Sequence, residues 1–200
     1  LVSILASDFT DGIASQAIKM VFEYLPRSVN NGANDPEARE KMHNASTLAG
    51  MAFANDFLGM NHSMAHKVGS EFGVVHGCAN AILLPHTIRY NGTKPEKPGI
   101  WPKYNYYKED EKYAQIAREI GLKFDTVEEG VEKLAQACHD LAVECGIVMS
   151  FKAQGLYEKA FMDAREKLAY MAYEDQCSPA NPRIPMAADI IEILTKVYQG

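Results

Sequence analysis

Three closely spaced histidines, His62, His66 and His76, are the strongest local signal in this sequence for metal binding or proton transfer. On an α-helix, positions four apart lie about 40° apart around the axis and one turn along it. His62 and His66 would therefore project from one face, in the i, i+4 geometry by which two imidazoles share a metal. His76 follows Gly69 and Gly73, and a chain that turns at those glycines returns it to the same face. Neutral imidazole nitrogen suits zinc, iron and copper. The competing reading is of ordinary half-buried imidazoles that cap or hydrogen-bond locally. A set of histidine ligands usually also takes a carboxylate. Asp56 and Glu71 are the nearby acids, and spacing selects neither.

Other chemistries lack their residues. No H-E-x-x-H motif supplies a zincin's general base, and no G-x-S-x-G elbow presents a serine nucleophile. Neither glycine-rich phosphate loop, G-x-G-x-x-G or G-x-x-x-x-G-K-S/T, occurs. His43 and His139 lie in charged stretches and read as solvated. His86, after Pro85, reads as a core or interface residue. Met51, Met60 and Met64 read as core filler. Cys177, in the loop sequence QCSPANPR, reads as a buried thiol.

The elements that must position these residues are helical almost throughout. Ile13, Ala17, Ile18, Val21 and Phe22 recur at three- and four-residue intervals from Ile13 and form a core-facing stripe, which Pro26 is expected to end. Asp35 reads as an N-cap with Pro36 at the first helical position, opening a helix to about Leu58. Ala45, Ala49, Ala52 and Ala54 allow a close neighbour there. A shorter helix carries His62 and His66. Residues 79–84 form another element that Pro85 should kink or end. Residues 91–107 are rich in proline and aromatics and read as a long surface segment packed on something. Further helices are expected from about Lys108 to Ile120, from the capping-box pattern Thr126-Val127-Glu128-Glu129 to Glu144, from Tyr157 to Tyr173 and from Pro185 to Tyr198. No alternating strand pattern and no β-α-β rhythm is present. The expectation is an all-α fold, one domain over residues 1–200 with about eight helices.

Composition narrows the function classes. The 200 residues are 47% hydrophobic and 23% charged, the makeup of a globular chain rather than a disordered one. The net charge is −6 and no basic run is present, which argues against nucleic acid and against docking on an anionic membrane. The apolar runs are too short for a membrane span. The opening LVSILASDFTD does not read as a signal peptide. The four cysteines show no C-x-x-C spacing, the usage of a reducing, cytoplasmic setting, and Cys138 and Cys145 are expected to share a packed helix face.

Residues 44–91, NASTLAGMAFANDFLGMNHSMAHKVGSEFGVVHGCANAILLPHTIRYN, resemble the signature region of the iron-dependent alcohol dehydrogenases. Residues 99–119, GIWPKYNYYKEDEKYAQIARE, resemble a segment of the alcohol dehydrogenase half of bifunctional aldehyde–alcohol dehydrogenases. The opening ASDFTDGIASQAIKMVFEYLP and the closing ANPRIPMAADIIEILTKVYQG are similar to the same group, so the resemblance covers essentially the whole chain.

The resemblance implies the C-terminal helical domain of such an enzyme, whose N-terminal NAD-binding α/β domain is absent from this chain. It implies Fe(II) as the metal, with zinc as a substitute, and a small alcohol or aldehyde as substrate. His62 and His76 fall on the last two ligand histidines. His66 falls on a histidine close to the nicotinamide, a candidate for cofactor contact or proton relay. Phe53 and Leu58 fall on substrate-channel positions, and Cys177 falls near that pocket. The other two ligands belong to a D-x-x-x-H motif expected just before Leu1, so this chain alone is expected to bind metal weakly and to be inactive. Phe53, Leu58 and Met60 are expected on an apolar face left bare for the α/β domain. A homo-oligomer or filament is implied for the full-length protein. Two rivals are a glycerol dehydrogenase- or dehydroquinate synthase-like enzyme and a stand-alone helical metal-binding or interaction module. The run N-x-x-L-G-x-x-H-x-x-x-H and the WPKYNYY segment speak against the first. The second would need its own fourth ligand.

Overall fold

The computed structural model describes residues 1–95 and 107–200. Among them are eight α-helices, one short 3-10 turn and no strand: α1 (Asp8–Asn31), α2 (Pro36–Asp56), α3 (Met60–Phe72), α4 (His76–Asn91), α5 (Glu109–Glu119), α6 (Val127–Glu144), α7 (Glu158–Tyr173), the turn Ser178–Ala180 and α8 (Ala187–Gln199). No helix among the described residues is long and apolar enough to cross a membrane. Of the segment 91–107, residues 96–106 lie outside the described residues. Tyr107 is buried and its hydroxyl donates to the Asn91 carbonyl at 2.7 Å.

Helix starts follow local chemistry. Ser7 and Thr10 exchange side-chain and backbone hydrogen bonds at the head of α1. Asp35 accepts from the Ala38 N–H ahead of Pro36, as its sequence context predicts. Thr126 accepts from the Glu129 N–H, while Glu129 reaches back to the Asp125 N–H, one residue before the expected partner.

Pro26 departs from expectation, and at Pro85 the helix is not ended. Pro26 does not end α1, which continues to Asn31, and Pro85 lies inside α4, which continues to Asn91. Each proline removes one backbone donor. The loss is tolerated because packing holds the helix on both sides of it. α1 lies along α2, and α4 is clasped by α3, α6 and α8.

Two apolar clusters share α4. Its Ile82 and Leu83 join Met60, Met64, Phe161 and Leu194 in a core built from α3, α4, α7 and α8. Its Ile88 joins Ile116, Val131 and Leu134 in a second cluster with α5 and α6. Met60 is thus fully buried and not on a bare face, because it is the first residue of α3 and that turn faces the core. Met64 is also core, whereas Met51 is 48% exposed on α2.

The α3–α4 corner sets the histidines. Gly73 takes φ 71° and closes α3 by donating to the Gly69 carbonyl, a left-handed cap that glycine adopts without strain. The chain reverses, and α4 begins three residues later at His76. The loop after α7 is fastened to the same two helices. Asn181 bonds Met60 at the head of α3 and Asn91 at the end of α4, and the Arg183 guanidinium stacks 4.0 Å over the Tyr90 ring.

Candidate metal centre

His62 and His66 project from α3 and His76 opens α4, and their rings converge. Ring centroids are 6.1 Å apart for His62–His66, 5.5 Å for His62–His76 and 5.4 Å for His66–His76. The turn through Gly73 does return His76 to the face of its predecessors. His62 and His66 are half-buried and His76 is exposed, so the cluster opens on the His76 side. Burial, and then the neighbouring imidazoles of His76 and His66, push His62 down to about 4, which leaves it neutral near pH 7. A neutral imidazole is the form that donates a lone pair to a metal.

Neither acid named from the sequence joins the cluster. Glu71 pairs with Lys167 at 2.8 Å. Asp56 is buried at the end of α2, with one carboxylate oxygen lacking a hydrogen-bond partner. The acid that reaches the histidines is Asp175, just past α7, whose Oδ2 lies 3.3 Å from His66 Nδ1. Lys67 Nζ sits 2.7 Å from the same oxygen, and the Cys177 N–H donates to Oδ1 at 3.0 Å. Burial disfavours the charged carboxylate, but Lys67, the Cys177 backbone and His66 outweigh it and hold Asp175 well below the usual carboxylate range. Cys177 is 1% exposed, and burial followed by Asp175 pushes its thiol up to about 11. The donor atoms of His66, Asp175 and Cys177 lie within 4.8 Å of one another.

A polar relay holds His76. Thr87 Oγ1 donates to Asn61 Oδ1 at 3.0 Å, and Asn61 donates to Asn80 Oδ1 at 2.8 Å. The Asn80 amide lies 3.0 Å from the His76 carbonyl and 3.1 Å from its Nε2.

The remaining sequence candidates separate. Cys177 sits beside His66. Phe53 is 50% exposed and lines an apolar cleft of ≈ 560 Å³ between α1–α2 and α4–α6, with Val21, Phe57, Leu84 and Leu141 also on its walls. Cys138 and Cys145 both line this cleft, in keeping with a shared face. Leu58 is half-buried between α2 and α3 and is not among the cleft's lining residues, nor is any of the three histidines. Sequence reasoning missed Asp175, Lys67, Asn61 and Asn80. Asp175 stands two residues before Cys177, and Lys67 directly follows His66. Asp175 lies 109 residues from His66 in sequence and meets it only through the fold.

The chain is similar to known proteins over its whole length. A sequence profile described as "Fe-containing alcohol dehydrogenase family, C-terminal" matches residues 1–198. An aldehyde-alcohol dehydrogenase of Streptococcus pneumoniae is 59% identical over 199 residues, which cover 100% of this chain and 22% of the relative. The bifunctional aldehyde-alcohol dehydrogenase AdhE of Escherichia coli is 44% identical over 202 residues, covering 100% of this chain and 23% of the relative. The structure of an iron-containing alcohol dehydrogenase from Thermococcus thioreducens superposes with a TM-score of 0.82 at 32% identity, over 100% of this chain and 46% of that one. The chain therefore spans less than a quarter of the length of the two aldehyde-alcohol dehydrogenases and just under half of the single dehydrogenase.

Proposed function

Because the chain belongs to the Fe-containing alcohol dehydrogenase family, as part of its C-terminal region, we propose that it supplies the metal-holding half of an NAD-dependent site interconverting a small primary alcohol, such as ethanol, with its aldehyde. The observation that carries this reading is the convergence of His62, His66 and His76 on one face, with centroids 5.4–6.1 Å apart.

The donor set fits a divalent iron, with zinc as a substitute. Borderline metals take neutral imidazole, and burial together with its neighbours keeps His62 in that form. His62 and His76 would hold the metal. When bound, it supplies Lewis acidity toward an alcohol or aldehyde oxygen, and NAD supplies the hydride acceptor. This chain's own residues do the rest. The Asn61–Asn80 relay restrains His76, and Asp175 and Lys67 restrain His66 beside the two ligands. His66 is placed to contact the nicotinamide or to pass a proton. Phe53, Leu58 and Cys177 are assigned to the substrate channel on the resemblance.

Two imidazoles do not complete a site, and the sequence holds no glycine-rich phosphate turn. The chain by itself is therefore proposed to be inactive and a weak metal binder. A cytoplasmic setting and a homo-oligomer or filament of the whole protein belong to the same reading, the former supported by four free cysteines.

The test is NAD-linked ethanol oxidation by this chain alone and by a polypeptide joining it to a nucleotide-binding α/β domain of the family. Activity is expected only in the joined protein, with a loss of at least about 100-fold in His76→Ala. A joined protein that is folded and iron-loaded but turns over no alcohol overturns the reading.

A further inference from the structure

We propose that Asp175 is a positioning residue for this site, holding His66 as the Nδ1–H tautomer and leaving Nε2 as its one free nitrogen. The use of that nitrogen in alcohol oxidation rests on the function proposed above; the tautomer is a property of this chain alone.

The carboxylate is fixed from both sides of its own backbone. The Asp175 N–H donates to the Ala172 carbonyl at 3.2 Å, and the Asp175 carbonyl accepts the Ser178 N–H at 3.0 Å. Ser178 Oγ in turn donates to the Ala172 carbonyl at 2.6 Å. Within this turn, Oδ1 is taken by the Cys177 N–H at 3.0 Å, and Oδ2 faces Lys67 Nζ at 2.7 Å and His66 Nδ1 at 3.3 Å. The Asp175 side chain is 7% exposed. An ionised carboxylate can only accept, so the His66 nitrogen facing it must carry the hydrogen. Which ring nitrogen of a histidine is free is decided by the partner of the other one.

The same atoms can be considered as a cation site, since His66, Asp175 and Cys177 lie within 4.8 Å. Lys67 argues against that use. Its ammonium already stands on the shared carboxylate oxygen, so a metal there would face a fixed positive charge at contact distance. Lys67 neutralises Asp175, and the carboxylate is left to orient a ring. This is the arrangement in which a carboxylate sets the tautomer and direction of an imidazole that works elsewhere.

Long-range 1H–15N ring spectra of the metal-free 200-residue chain, recorded well above the ordinary histidine pKa, read the tautomer directly, with His66→Gln assigning the signals. The expected result is a protonated Nδ1 and an unprotonated Nε2 for His66. In Asp175→Ala the ring should revert toward the Nε2–H form that free histidine favours. An Nε2–H His66 in the unaltered chain overturns the proposal, and that spectrum decides the matter even if the variant fails to fold. An Nδ1–H ring that survives Asp175→Ala overturns it as well. In the joined dehydrogenase, Asp175→Ala should lower kcat about 10- to 100-fold, the range for removing a residue that orients a site imidazole, with bound metal and the KM for NAD unchanged. Partial recovery is expected in Asp175→Glu. Unchanged kcat removes Asp175 from the reaction and overturns the positioning role. A joined wild-type protein without activity overturns the proposed function instead, and the ring spectra still decide the tautomer.

Discussion

Replacing Asn181 with alanine would measure how firmly the loop after α7 holds the head of α3, and through it His62. Asn181 is 2% exposed. Its Oδ1 accepts the Met60 N–H at 3.2 Å and an Asn91 amide hydrogen at 3.3 Å. Its own amide donates to Asn91 Oδ1 at 2.8 Å and to the Arg183 carbonyl at 2.6 Å. The N-cap residue of α3 is Gly59, which has no side chain to offer, so Asn181 satisfies an α3 N–H from a distance in sequence. A Cβ at position 59 would meet Asn181 Oδ1 at 2.8 Å, so a larger residue there would push Asn181 off these bonds. Alanine at 181 leaves the Met60 N–H and the Asn91 amide without these partners. A buried polar group left unsatisfied costs ~1–3 kcal/mol, so two such groups give a loss of about 3 kcal/mol. For a domain of this size each kcal/mol lowers Tm by ~2–4 °C, which puts the drop at roughly 6–12 °C. Urea and thermal unfolding followed by circular dichroism at 222 nm measure both quantities. Asn91→Ala and the double variant complete a cycle, with a coupling of about 1–2 kcal/mol expected for directly bonded partners. A loss under ~0.5 kcal/mol together with additive single effects would refute the capping argument.

Three other outcomes follow from the same structure. Pro26→Ala restores a backbone donor inside α1 and should raise stability by about 1 kcal/mol in urea unfolding; a loss would mean that the proline ring itself is needed. Burial, then Arg89, Lys196 and His139, push His86 down to about 4, below its unfolded value of about 6.5. Between those values the unfolded chain binds a proton that the folded chain does not, so this contribution is complete above about pH 6.5 and is lost as pH falls toward 4. His86→Gln should flatten the stability–pH curve over that window, and an unchanged slope would discount the burial of this ring. Burial pushes Cys138 up to about 12, and burial with Asp175 pushes Cys177 up to about 11. Both should alkylate with iodoacetamide at about pH 8 at least ~100-fold more slowly in the folded chain than in urea, as peptide mass spectrometry would show. Equal rates would place these thiols at the surface.

Local rules carried much of the fold. The caps at Asp35 and Thr126 and the periodic apolar faces are signals contained within one helix, and the corresponding elements start where those signals stand. Pro26 misled because a proline's local cost is visible in sequence, while the packing that outweighs it is supplied by a helix elsewhere in the chain. Met60 misled for a similar reason. Its neighbours Phe53 and Leu58 are at least partly open, but the first turn of α3 is rotated into the core.

The candidate site divides along the same line. His62 and His66 were legible from helical spacing, and His76 from the glycines that turn the chain. Asp175 is more than a hundred residues from His66 in sequence and was not legible by spacing, since only the packing of α7 on α3 brings it there. Asn61 and Asn80 carry no motif of their own. Their role emerges only from the hydrogen bonds that cross between α3 and α4.

Metal content tests the central assignment most directly. The joined protein, and its His62→Ala, His76→Ala and His66→Ala variants, would be purified identically, their folding checked by circular dichroism, and their iron and zinc counted by inductively coupled plasma mass spectrometry. The two ligand variants should lose most of the metal. His66→Ala should keep it while turning over alcohol more slowly. Metal retained in a folded His62→Ala protein, or lost from His66→Ala as fully as from His76→Ala, would contradict the division of the three histidines into two that hold the metal and one that works beside it.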